Sequence, residues 1–147
     1  MQSYKFLTAG LMLVLATSVL GQNLTFVSPA AGTVVKPGQK VTLQLKFQST
    51  SPSVSQIAWQ LGLNGLEKDL ISLGRPLVAS LGPEDTGATY KEDEQTYYWD
   101  VTLPAADKFL DGFDKTYRLT LSQYYVDTNG FAPNKNLVSV LVNVQKD

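Results

Sequence analysis

Residues 40–47 read Lys-Val-Thr-Leu-Gln-Leu-Lys-Phe (KVTLQLKF). Val41, Leu43, Leu45 and Phe47 fall on one side of an extended chain, and Lys40, Thr42, Gln44 and Lys46 on the other. Successive side chains of a strand point to opposite faces, so this alternation predicts a half-buried strand with one wet face. The same period returns downstream. In residues 95–103, Tyr97, Trp99, Val101 and Leu103 are expected inward, and Thr96, Tyr98, Asp100 and Thr102 outward. In residues 116–125 the inward set is Tyr117, Leu119 and Leu121; in 137–144 it is Val138, Val140, Val142 and Val144. Residues 56–63 place Ile57, Trp59, Leu61 and Leu63 on one face.

A first strand over Leu24–Ser28 and apolar runs at 70–73 and 77–81 complete the set. Between them lie turn-forming stretches: Pro29–Gly38, the polar 48–55, Asn64-Gly65, 82–87 and 126–135. A helical turn is expected after Pro104, over residues 105–110. About seven strands with almost no helix predict an all-β protein, an immunoglobulin-like antiparallel β-sandwich, with Trp59 and Trp99 between its two sheets. Asp111-Gly112 ahead of Tyr117 is the spacing of a tyrosine corner; an ordinary inward aromatic is the alternative.

Upstream of this domain, Lys5 precedes the uncharged run FLTAGLMLVLATSVL of residues 6–20, and Val19 and Gly21 are small. A positive start, an apolar middle and a small-residue exit predict a secretory signal peptide over residues 1–21, cut ahead of Gln22. An uncleaved anchor is the alternative, although the run is short for a membrane span. Residues 22–147 are then a single secreted domain, with one glycosylation sequon at Asn23-Leu24-Thr25. The polar end at 143–147 carries no lipid-anchor signal.

Composition narrows the chemistry. The chain has no cysteine and no histidine. Thiolate catalysis and cysteine-ligated metals are excluded, and the commonest general base and transition-metal ligand is missing. Twelve Lys and Arg stand against 13 Asp and Glu. With no basic stripe, nucleic acid and anionic membrane are poor partners. Glu84, Asp85, Glu92, Asp93 and Glu94 could form a carboxylate pair for glycoside hydrolysis or a calcium loop, but neither spacing is specific, and a solvated loop is the plainer reading. No nucleophile motif and no phosphate-cradling glycine loop occurs, so a non-enzymatic protein without a cofactor is expected. Tyr98, Tyr124 and Phe131 are the candidate partner contacts: two tyrosines outward by strand parity, for which ordinary single aromatics on a β surface are the plainer alternative, and a phenylalanine in the last long loop that either folds back or meets a partner.

One spaced pattern runs through most of the domain: Val35-Lys36-Pro37-Gly38, residues 55–63 (SQIAWQLGL), Leu73-Gly74, Leu81-Gly82-Pro83-Glu84, Val101-Thr102-Leu103-Pro104 and Tyr117-Arg118-Leu119-Thr120. It resembles the necrosis-inducing secreted protein family of fungi, small effectors released by plant-associated species. The resemblance implies a secreted effector that binds receptor-associated kinases of a plant host and dampens pattern-triggered immunity; it supplies no catalytic residues. Residues 27–38 (VSPAAGTVVKPG) also resemble the N-terminal sandwich of fungal cell-wall glucan-assembly proteins. That match covers only the start, and the Ser/Thr-rich tail usual in that group is not seen here, so a cell-wall polysaccharide-binding module ranks second.

Overall fold

The structure is a computed structural model and describes residues 24–47, 54–66, 73–127 and 133–146. Residues 1–21, expected from the sequence to be a signal peptide, together with Asn23 and Phe131, lie outside the described residues. Among the described residues, nine strands form two sheets. They are β1 (Leu24–Ser28), β2 (Thr33–Val35), β3 (Lys40–Phe47), β4 (Val54–Gly65), β5 (Arg75–Leu81), β6 (Thr89–Lys91), β7 (Thr96–Thr102), β8 (Lys115–Asp127) and β9 (Pro133–Val144). Short 3-10 turns occupy Pro83–Thr86 and Ala106–Lys108. Among the described residues no helix is long and apolar enough to cross a membrane.

The four-stranded sheet runs β1-β3-β7-β6 and the five-stranded sheet β2-β9-β8-β4-β5. This is the ABED-against-GFC arrangement of an immunoglobulin-like sandwich, extended by β5 beside β4 and by β2, which follows β1 in sequence but has crossed to the other sheet. The expected sandwich is therefore present, and it includes two three-residue strands, β2 and β6, that the sequence pattern does not mark. One pairing departs from an all-antiparallel pattern: β2 runs parallel to β9, matching Thr33 with Val142 and Val35 with Val144.

The two inner faces supply the core. Leu43 and Leu45 of β3, Trp59, Leu61 and Leu63 of β4, Trp99 and Val101 of β7, Leu119 and Leu121 of β8, and Val142 and Val144 of β9 are all buried. The Trp59 and Trp99 rings meet between the sheets at 5.6 Å, and Tyr97 stands edge-on to Trp59 at 4.8 Å. Leu43, Leu61, Val101, Leu119 and Val142 line a space of only about 10 Å³. That is room for at most one water, so this part of the interior offers no ligand chamber.

Three local expectations are corrected. Asn64-Gly65 does not turn the chain: both residues continue β4, pairing with Arg118 and Tyr117 of β8. Thr96 keeps the outward facing that parity gives it, paired with Lys46 and Lys91, but it is buried rather than wet, and its hydroxyl donates to the Glu94 carbonyl at 2.9 Å. Ile57, expected beside Trp59 in the core, is 51% exposed. The cause is a bulge in β4 between Gln56 and Ala58, where Gln56 pairs with Tyr125 and Ala58 with the adjacent Tyr124. The inserted residue reverses the facing of everything before it.

Gly62 is required by a close approach. A Cβ there would run into the carbonyl oxygen of Leu73, so the chain entering β5 can cross the outer face of β4 only over a glycine.

Candidate functional site

The sequence-predicted contacts do not converge. Tyr98 is on β7 in the four-stranded sheet and Tyr124 on β8 in the five-stranded sheet, each on its sheet's outer face. The Tyr98 hydroxyl donates to the Glu94 carboxylate, and the Lys91 ammonium sits 4.5 Å above its ring while also bonding Glu94 at 3.2 Å. The hydrogen bond from Tyr98, then the one from Lys91, holds the Glu94 carboxyl below the usual range, and the same bond to Glu94 pushes the Tyr98 phenol up. Tyr98 is thus engaged within its own sheet. Nearby, Asp100 accepts from Thr42 at 2.6 Å and from Lys40 at 2.9 Å, which lowers its pKa. Tyr124 is 40% exposed, with the Lys135 ammonium 5.5 Å from its ring centre.

The acidic residues separate into two places. Glu84 and Asp85 belong to the 3-10 turn Pro83–Thr86, whereas Glu92, Asp93 and Glu94 lie in the β6–β7 turn. Among the described residues no three carboxylates are gathered in a way that could hold a metal ion.

The structure brings together a different set. A groove of about 630 Å³ opens where the chain passes from β5, at the edge of one sheet, to β6, at the edge of the other. Gln56 and Ile57 reach it from β4, Glu84 and Asp85 from the 3-10 turn, Tyr90 from β6 and Tyr97 from β7. The bulge in β4 explains two of these positions. It turns Ile57 outward, and it lets the Gln56 Oε1 accept the Trp59 indole N–H at 3.1 Å. Tyr90 and Tyr97 are directly paired across β6 and β7, so their rings share a face, 4.6 Å apart and tilted by 42°. Phe47 packs against both. The Tyr97 phenol is pushed up by burial first, then by Tyr90 and the Glu84 carboxylate.

This arrangement can bind: it has ring surface, two carboxylates and an apolar lip at Ile57. Glu84 was visible in the sequence as an acid and Tyr97 as an inward aromatic. Tyr90 was not singled out, because a three-residue strand is too short to show a period.

A second unusual feature lies on the outer face of β8. Arg118, Thr120 and Ser122 point away from the core yet are buried, at 8%, 2% and 2% exposure. Among the described residues, Arg118 Nη1, Thr120 Oγ1 and Ser122 Oγ have no hydrogen-bond partner. No family model matches the chain, and no curated protein matches it.

Proposed function

We propose that this chain is a secreted, non-enzymatic binding protein, an effector of the necrosis-inducing secreted protein type from a plant-associated fungus. In this reading it carries no cofactor and no membrane anchor, and its partner is a host protein, a receptor-associated kinase of pattern-triggered immunity. The observation that carries the reading is the spaced pattern, considered with its place in the fold. Val35 ends β2 and Lys36-Pro37-Gly38 leads on to β3, residues 55–63 lie in β4, Leu73-Gly74 crosses Gly62, and Tyr117–Thr120 lies in the first half of β8. A sandwich with a filled interior works through its surfaces. The test is expression in leaf tissue followed by an elicitor: a reduced oxidative burst supports the reading, and an unaltered burst removes it.

The groove favours a second reading, a cell-wall polysaccharide-binding module. Tyr90 offers a partly exposed ring and Glu84 and Asp85 offer acceptors, the pairing that grips a sugar ring and its hydroxyls. Pull-down on insoluble glucan and chitin decides it; a protein left in the supernatant ends this reading.

A further inference from the structure

We infer that the groove where the chain passes from β5 to β6 receives a lysine- or arginine-bearing extended segment of a partner protein. The inference rests on the protein-binding reading above and names the chemistry that reading leaves open.

Three observations favour a cation. First, Glu84 and Asp85 line the groove and have no ion-pair partner among the described residues, so a cation from outside meets two uncompensated carboxylates there. Second, the carboxylates share the groove with the rings of Tyr90 and Tyr97. Ring faces are electron-rich, so rings and carboxylates together attract an ammonium or guanidinium more strongly than either does alone. Third, the nearest lysine on the same strand does not neutralise the site. Lys91 alternates to the other face of β6, where Glu94 and the Tyr98 ring hold it.

The backbone favours an extended occupant. β6 ends its sheet, so among the described residues one edge of Thr89–Lys91 faces no strand. A segment lying along that edge can pair with the main chain while an alternate side chain enters the groove. The saccharide of the second reading carries no charge to match the two carboxylates.

The test is an amide-resolved NMR titration of the purified protein with an acetylated, amidated peptide of alternating threonine and lysine. The matching threonine–glutamate peptide, a β-glucan hexasaccharide and a chitin hexasaccharide form the other arms. The lysine peptide is expected to shift Gln56, Ile57, Tyr90 and Tyr97. Its affinity is expected to fall about tenfold in the double variant Glu84→Gln, Asp85→Asn, and again on raising the salt. Asp107→Asn, an acid outside the groove, is expected to bind as the parent does. Equal binding of the glutamate peptide, undiminished binding by the double variant, or no response to the lysine peptide overturns the inference. A response to a saccharide alone transfers the groove to sugar. The leaf assay separates the two proposals. A double variant that dampens the burst as well as the parent removes the groove and leaves the effector reading, whereas a parent that leaves the burst intact removes the effector reading and leaves the titration to judge the groove.

Discussion

The Tyr117 hydroxyl donates a 2.7 Å hydrogen bond to the carbonyl of Gly112, five residues upstream. Tyr117 is buried at the start of β8, with Phe109 edge-on at 5.5 Å. This is the tyrosine corner of an immunoglobulin-like sandwich, and it ties the loop after the second 3-10 turn to the strand that follows. Gly112 has φ of +88°, a backbone state that glycine adopts without strain. Tyr117→Phe keeps the ring and removes the donor, so it is expected to cost about 1–2 kcal/mol. The urea midpoint measures this, with an unchanged slope showing that the denatured state is not involved. A midpoint equal to the parent's would reduce Tyr117 to an ordinary packed ring.

The β4 bulge makes two adjacent residues behave opposite to their hydrophobicity. Gln56→Leu leaves the indole N–H of fully buried Trp59 without its acceptor, which is expected to cost about 1–3 kcal/mol. Ile57→Ser touches a residue that is mostly exposed and is expected to stay within about 0.5 kcal/mol of the parent. Thermal unfolding of the two variants checks the pair. If Ile57→Ser proves the more damaging, Ile57 belongs in the core and the bulge is misplaced.

The contrast between β3 and β4 shows what the sequence could carry. β3 was legible because one face is core and the other is wet, so polarity alternates with facing. β4 was legible only beyond Trp59, since counting by twos cannot reveal an inserted residue. Asn64-Gly65 reads locally as a turn, yet it stays extended because Arg118 and Tyr117 of β8 supply its pairing partners. β2 and β6, at three residues each, are specified by their neighbours, β9 and β7. The groove is assembled from four segments that span both sheets, so its residues could be recognised singly but not as a site. Parity placed Tyr98 and Tyr124 outward correctly; that Lys91, Glu94 and Lys135 engage them is a tertiary fact.

The buried outer row of β8 predicts a substitution that does no harm. Thr120 pairs with Gly62, over which Leu73 crosses, and its hydroxyl is covered without a partner among the described residues. Thr120→Val has the same shape and removes an unsatisfied polar atom, so the midpoint is expected to hold or to rise by about 1 kcal/mol. Thr116, four positions earlier on the same face, is the control. Its hydroxyl donates to Asn143 Oδ1 at 2.8 Å, so Thr116→Val is expected to cost about 1 kcal/mol. A loss at Thr120 as large as that at Thr116 would mean the Thr120 hydroxyl has an acceptor after all.

The outer face of the four-stranded sheet predicts acid sensitivity. Asp100 is held below its ordinary pKa first by the Thr42 hydroxyl and then by Lys40; Glu94 is held down first by Tyr98 and then by Lys91. Each group binds protons more weakly in the folded chain than in the unfolded one. Their stabilisation is therefore complete above the ordinary carboxylate range near about pH 4 and is lost as the pH falls through the lower native values. Melting temperatures measured from neutral to acid pH are expected to drop on that limb. Asp100→Asn and Glu94→Gln are expected to start lower at neutral pH and to lose less on acidification. Both sites are exposed, so added salt is expected to shrink the differences. An acid limb of the same steepness in the parent and both variants would place the titrating groups elsewhere on the molecule.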